Sequence, residues 1–280
     1  MIFDIEYASA RVRVLRSKLL KDETKQNIKN TKTKEELIAN LDSTAYEPMF
    51  ASKDIDQIEQ NFNNHLTQTL NKVTSFLPKR YREDFNRYLA RFDLRNLKII
   101  IRGLHAKMSI KEIKEDLIRY GDIQKIAEDT ELLTLEILEN RLENTIWHQA
   151  YKEGFTNYKK TEKVLDFEHP LDKAYMDQLE KIQTEPVKEF TKKYKRMIDT
   201  KTISRLKENA DPYLFLPKEK KETERQAKEA TDAEMLNKIE KESRRALLTD
   251  PFGIGLYIEF MFRKEMETLL VKSILRQVWK

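Results

Sequence analysis

The sequence predicts an all-α protein, and three observations carry that prediction. Five glycines and seven prolines stand in 280 residues, too few for the many tight turns of a sheet protein. Apolar residues recur at three- and four-residue intervals over long stretches, the spacing of one helical face. Nowhere does an apolar–polar alternation of period two last long enough for a half-buried strand.

The elements follow in order. Ala8, Val12, Leu15 and Leu19 share one face, with Arg11, Arg13, Arg16 and Lys18 mostly off it, which makes an amphipathic helix with a basic back. Thr33 and Glu36 have capping-box spacing ahead of a short helix carrying Leu37, Ile38 and Leu41, and Pro48 marks a loop. The cleanest periodicity is Ile55, Ile58, Phe62, Leu66, Leu70, Val73 and Leu77, a helix over 54–77 that Pro78 ends. A single helix is expected from about Tyr81 to Leu104, faced by Phe85, Leu89, Phe92, Leu97, Ile100, Ile101 and Leu104. Ser109 and Glu112 form a second capping box, and Gly121 reads as a C-cap. Leu132, Leu135, Leu138, Leu142 and Ile146 predict one long helix closing at Gly154. Pro170 is placed near the start of a helix bearing Leu171, Tyr175, Leu179 and Ile182. Pro186 starts another with Val187, Phe190, Tyr194 and Met197, residues 210–217 form a loop, and a last helix spans roughly Pro251 to Trp279.

One word recurs along the chain. Residues 92–103, 198–207 and 266–276 each place an apolar residue before an acid, a second apolar residue four places after the acid, and a basic end. The acids are Asp93, Asp199 and Glu267, and the later apolar residues are Leu97, Ile203 and Val271. A unit used three times points to shape and assembly rather than to a single cleft. Between the last two words lies a contrasting stretch. Of residues 218–245, 17 are charged, so this segment reads as a solvated helical or disordered insert.

Composition narrows the function classes. With 39% hydrophobic and 36% charged residues, the chain suits an elongated helical protein with much wet surface. It has no cysteine, which excludes a disulfide framework, a thiolate metal site and a cysteine nucleophile. The opening residues lack the pattern of a secretory signal. The longest weakly charged run, Pro251 to Phe262, is interrupted by Glu259 and falls well short of the ~20 residues that span a bilayer. Net charge is +5, from 53 basic and 48 acidic residues. The basic groups at Arg11–Lys18 and Lys79–Arg82 leave a basic all-α nucleic-acid-binding protein as the alternative reading. Acids alternate with bases through most of the chain, so a solvated face is favoured and no nucleic-acid partner is expected.

No constellation of a reaction centre stands out. His65, His105, His148 and His169 share no metal-ligand spacing. Gly253 and Gly255 make a lone Gly-x-Gly without a lysine, and no serine sits in a nucleophile elbow. No catalytic residue, cofactor or metal is expected. Asp93 is the odd group: it lies on the apolar face, four residues after Leu89 and four before Leu97. A carboxylate there needs a partner. An arginine or a helix N-terminus is the favoured one, with a catalytic carboxylate as the lesser reading.

Several segments resemble a known family. Tyr7-Ala8-Ser9-Ala10-Arg11-Val12-Arg13-Val14-Leu15-Arg16-Ser17-Lys18-Leu19-Leu20 is similar to the N-terminus of the C subunits of A-type and V-type ATP synthases, which are related to the d subunit of the eukaryotic vacuolar ATPase. Asp93-Leu94-Arg95-Asn96-Leu97-Lys98 resembles that family's recurrent Asn-Leu helix motif. Leu171-Asp172-Lys173-Ala174-Tyr175 with Leu179 resembles its middle-repeat helix, and Pro251-Phe252-Gly253 with Arg263-Lys264-Glu265-Met266-Glu267 its closing helices. The chain departs from the pattern at Leu269 and Leu270, where the family usually has Arg-Asn, and in a third repeat that reads as short.

The resemblance implies three similar helical bundles in a pseudo-threefold funnel, the third repeat shortened. The segments would be a first repeat over 1–108, a second over 109–217, the charged insert over 218–245 and a remnant of the third repeat over 246–280. It implies a central-stalk adaptor without chemistry of its own, on the cytoplasmic face of the cell membrane. Its partners would be the shaft subunits and the proteolipid rotor ring, with lipid headgroups as a further contact. Protons and sodium ions are equally open, since the choice belongs to the ring. Arg11, Arg13, Asp93, Arg95, Asn96, Asp172, Tyr175, Asp199 and Glu267 are the residues expected in structural or interface roles.

Overall fold

The structure is a computed structural model that describes residues 2–195 and 232–279, with side chains from residues 5 and 238 onward in the two stretches. Every regular element among the described residues is helical. The repeat word at 198–207, with Asp199 and Ile203, the 210–217 loop and the 218–231 part of the charged segment lie outside the described residues.

The chain forms two compact units, one of Met1–Arg82 with Ser243–Lys280 and one of Glu83–Glu242. The first holds α1 (Ile2–Arg16), α2 (Asp22–Asn30), α3 (Lys34–Leu41), a short 3-10 helix (Glu47–Ala51) and α4 (Ile55–Phe76). The second holds α6 (Arg91–His105), α7 (Ile110–Asp116), α8 (Asp122–Glu128), α9 (Leu135–Arg141), α10 (His148–Thr161) and α11 (Val164–Glu180), followed by helix at 187–195. Helix α5 (Lys79–Leu89) carries the chain across the division, α12 (Asp232–Thr249) carries it back, and α13 (Ile254–Val278) lies in the first unit.

The organising element of the first unit is α13. All nine residues Ile254–Phe262 are buried, as expected of a helix enclosed on every side. Further along, Val271, Ile274 and Leu275 join Leu20, Ile28, Leu37, Leu41, Tyr46, Ile58 and Phe62 in one core cluster. Each fully buried side chain of this kind contributes about 1.5–3 kcal/mol. The second unit is centred on the α10–α11 hairpin, with α6 packed against α11, α7 and α8. Gly154 permits that hairpin, because a Cβ there would stand 2.3 Å from the Phe167 carbonyl oxygen.

Several elements differ from the sequence expectation, and local hydrogen bonding explains most of the differences. The long helix expected over Leu132–Gly154 is two helices, α9 and α10, with a turn between them. Thr145 makes the break: its hydroxyl donates to the Leu142 carbonyl at 2.8 Å and accepts from the Trp147 N–H at 3.2 Å. A threonine that serves the backbone in this way competes with the helical ladder. Leu132, which precedes α9, and Ile146, in the turn, are both exposed. Gly121 is not a C-cap but the N-cap of α8, with φ +88°. Pro170 lies inside α11, seven residues into it. The helix expected over 81–104 divides at Ala90 into α5 and α6. The Ser109–Glu112 capping box forms in full, whereas Thr33 caps Glu36 while the Glu36 carboxylate turns to the Lys32 N–H.

Candidate functional site

The two units repeat one ionic clamp between paired helices. In the second unit, α6 carries Lys98 and Arg102 one turn apart, and α11 carries Glu168 and Asp172 one turn apart. Arg102 grips Glu168 with two hydrogen bonds, of 2.5 and 2.8 Å. Lys98 holds Asp172 at 2.6 and 2.7 Å and reaches Glu168 at 3.8 Å. In the first unit, α13 carries Lys272 and Arg276, and α4 carries Glu59 and Asn63. Arg276 grips Glu59 at 2.5 and 2.6 Å, while Lys272 holds Asn63 at 2.8 Å and Glu59 at 3.3 Å. Two-pronged arginine–carboxylate pairs fix orientation as well as distance. Burial works to raise the Glu59 pKa, but the hydrogen bonds and charges of Arg276 and Lys272 outweigh it and hold the carboxyl below its usual value.

The turn before each clamp is repeated too. Thr44 donates to the Leu41 carbonyl at 2.6 Å and accepts from the Tyr46 N–H at 3.1 Å, the pattern Thr145 makes with Leu142 and Trp147. Tyr46 and Trp147, the aromatic residues so presented, are both buried. Upstream, Thr33 caps α3 and Thr134 caps α9 in matching positions. The helix that completes the clamp comes first in the second unit (α6) and last in the first (α13).

Two acids of the repeated word, Asp93 and Glu267, sit five residues before Lys98 and Lys272. Asp93 accepts the Ile123 N–H of α8 at 3.1 Å. Gly121, the N-cap, has no side chain to do so, and Asp93 supplies the capping oxygen from a neighbouring helix. Burial dominates its surroundings and pushes its pKa up to about 6. Beside it, Asn96 closes a three-bond latch: it accepts from the Ile118 N–H at 2.8 Å and donates to the Ile118 and Tyr120 carbonyls at 2.9 and 3.2 Å. Glu267, at the corresponding place in α13, is buried and meets Lys25 of α2 at 3.2 Å and the Tyr46 hydroxyl at 3.3 Å. Burial, the largest influence, raises its pKa against the nearby cations. Leu270 stands where α6 has Asn96 and packs against the core instead.

The remaining expected residues distribute as follows. Arg11 stacks over the Phe76 ring, its guanidinium 4.5 Å from the centroid, and donates to the Tyr7 hydroxyl at 3.3 Å. Arg13 donates to the Pro251 carbonyl at 2.8 Å and lies 5.0 Å over Phe252. Tyr175 is buried and donates to the Tyr88 carbonyl at 3.2 Å, Asp172 belongs to the clamp, and Arg95 is exposed. Sequence reasoning overlooked Lys98, Arg102, Glu168, Glu59, Lys272 and Arg276. The signal was present: Lys-x-x-x-Arg directly follows the shared apolar residue in two of the three words.

Among the described residues, no group of three or more His, Asp or Glu is placed to hold a metal ion. No described helix is long and apolar enough to cross a membrane.

Repeated clamps, caps and turns define an all-helical protein whose two units follow one plan. The family model described as "ATP synthase (C/AC39) subunit" matches residues 8–211, and the chain belongs to that family. Its relatives include the A-type ATP synthase C subunit of Methanocaldococcus jannaschii, 29% identical over 66% of this chain and 49% of that protein. The corresponding protein of Haloferax volcanii is 27% identical over 73% of this chain and 60% of its own length. That of Methanothermobacter thermautotrophicus is 26% identical over 98% of this chain and 84% of its length. The chain thus spans about half of the first relative and three fifths of the second.

Proposed function

We propose that the chain is a non-catalytic adaptor in the central stalk of a rotary A-type or V-type ATP synthase. In this reading it is a peripheral protein on the cytoplasmic face of the cell membrane. It joins the rotor shaft to the membrane proteolipid ring and passes torque between ion flow and nucleotide chemistry carried out elsewhere. The family match over residues 8–211 carries the proposal. The repeated clamps support it, since a part that transmits torque must resist shear between its helices, and close-packed, ion-paired helices resist it.

The complete assembly would place three similar bundles about a pseudo-threefold axis, divided as the sequence reading has them, so that Asp93, Asp199 and Glu267 fall one to each. Arg95 is the candidate for contact outside the chain, because it lies beside the Asn96 latch yet faces solvent. The test is purification of the tagged chain from native membranes, with stalk and ring proteins expected to accompany it. Recovery of the chain alone, from cells whose ATP-driven ion pumping survives its deletion, would refute the reading.

A further inference from the structure

A pocket of about 230 Å³ opens within the first unit, walled by α1, α4, α13 and the turn before the 3-10 helix. Three lysines line it, Lys18, Lys72 and Lys264, together with His65, Gln68 and Thr69, and its lining includes no Asp or Glu. Lys18 and Lys72 are exposed and sit at the mouth, while Lys264 is only 4% exposed.

Lys264 is the unusual group. A buried ammonium is costly unless a carboxylate or several acceptors receive it. Its ammonium makes no hydrogen bond or ion pair among the described residues and stands 4.0 Å over the face of the Tyr46 ring. Glu267, one turn further along α13, is engaged by Lys25 and the Tyr46 hydroxyl. Burial outweighs the attraction of Glu267 and pulls the Lys264 pKa down to about 8. The same burial, followed by the charge of Lys264, lowers His65 to about 4, so its imidazole is neutral at neutral pH. The Thr69 hydroxyl is committed to the His65 carbonyl at 2.8 Å. The charge left over in the pocket is cationic, with the neutral His65 ring and the Gln68 amide beside it.

We propose that this pocket binds a phosphate-type anion, with the Lys264 ammonium as the principal donor and Lys18 and Lys72 closing over it. The volume lies below the ~300 Å³ at which pockets for drug-sized ligands begin, which selects a small group over a cofactor. Three lysines in a lining that holds no carboxylate suit an oxyanion of more than one charge. The group could arrive as the free ion or as the headgroup of a phospholipid. The inference stands on this unit alone and is independent of the proposed place in a stalk.

Calorimetric titration of the full chain with inorganic phosphate, at constant ionic strength and neutral pH, tests it. Flotation with phosphatidylcholine vesicles carrying phosphatidic acid runs in parallel. Lys264→Met keeps the apolar stem and should weaken binding by about tenfold or more, the scale of one charge-assisted hydrogen bond. Lys72→Ala, at the exposed mouth, leaves the core untouched and should weaken binding severalfold, so the proposal stays testable if Lys264→Met fails to fold. Phosphate binding without vesicle retention identifies the free ion. Vesicle retention that either variant reduces identifies the headgroup. Absence of binding to both probes, or binding unchanged in the folded variants, overturns the proposal.

Discussion

The Asp93 carboxylate fills the space that a side chain on Gly121 would occupy: a Cβ there would lie 2.0 Å from Asp93 Oδ1. One helix thus caps another across the interior, and the acid and the glycine depend on each other. Gly121→Ala should cost about 2 kcal/mol or more, from the clash and from a φ of +88° that alanine tolerates poorly. Asp93→Ala should cost about 1 kcal/mol by removing the cap. Denaturant titration of both single variants and the double variant checks the relationship. The double should be less destabilised than the sum, and simple additivity would contradict it.

Asp93 should also impose a pH dependence on stability. Its carboxyl titrates at about 6 in the fold against an ordinary value of 3.8. Between those values the folded chain keeps a proton that the unfolded chain has released, so stability falls as pH rises through the window. The full effect is about 2–3 kcal/mol. Asp93→Asn, which keeps the accepting oxygen, should flatten that slope in stability curves recorded from pH 4 to 7.

The clamps should differ in strength because their exposure differs. Glu168 is buried, and Glu168→Ala removes both Arg102 hydrogen bonds at a dry position while leaving Lys98 on Asp172, at a cost of about 2–3 kcal/mol. Glu59 is wetter, 17% exposed against 4% for Glu168, so Glu59→Ala should cost only about 1 kcal/mol. Hydrogen exchange would locate each loss. The first should loosen amides of α6 and α11, and the second those of α4 and α13.

Thr44 and Thr145 should behave as a matched pair. Each holds a carbonyl and an N–H of its turn, so Thr44→Val and Thr145→Val should each cost about 1 kcal/mol. Thermal melts of the two variants would check this, and a loss confined to one of them would break the equivalence of the turns.

Legibility in the sequence followed the physical scale of each signal. The α4 periodicity gave Ile55–Phe76 almost to the residue, because a strong apolar stripe bounded by Pro78 leaves little choice. The expected helix over Leu132–Gly154 failed where one hydroxyl, that of Thr145, diverted the backbone. Apolar spacing carries no record of such a bond. Asp93 is legible as a carboxylate in need of a partner, and a helix N-terminus is one of the two partners its position favours. Which helix, and the space at Gly121 that admits the oxygen, depended on contacts between residues far apart in the chain. The clamps were missed because lysines and glutamates on a charged surface look alike until the facing helix is known.

Placing α13 at the heart of the first unit has a consequence for biosynthesis. As the polypeptide leaves the ribosome, Leu20, Ile28, Leu37 and Phe62 emerge long before Val271 and Leu275, the neighbours that cover them. The intervening unit can collapse on its own during translation, while the opening segment must wait, with greasy surface showing, for the last stretch to be made. Until α13 has been made, the apolar faces of α2, α3 and α4 lack the partner that covers them.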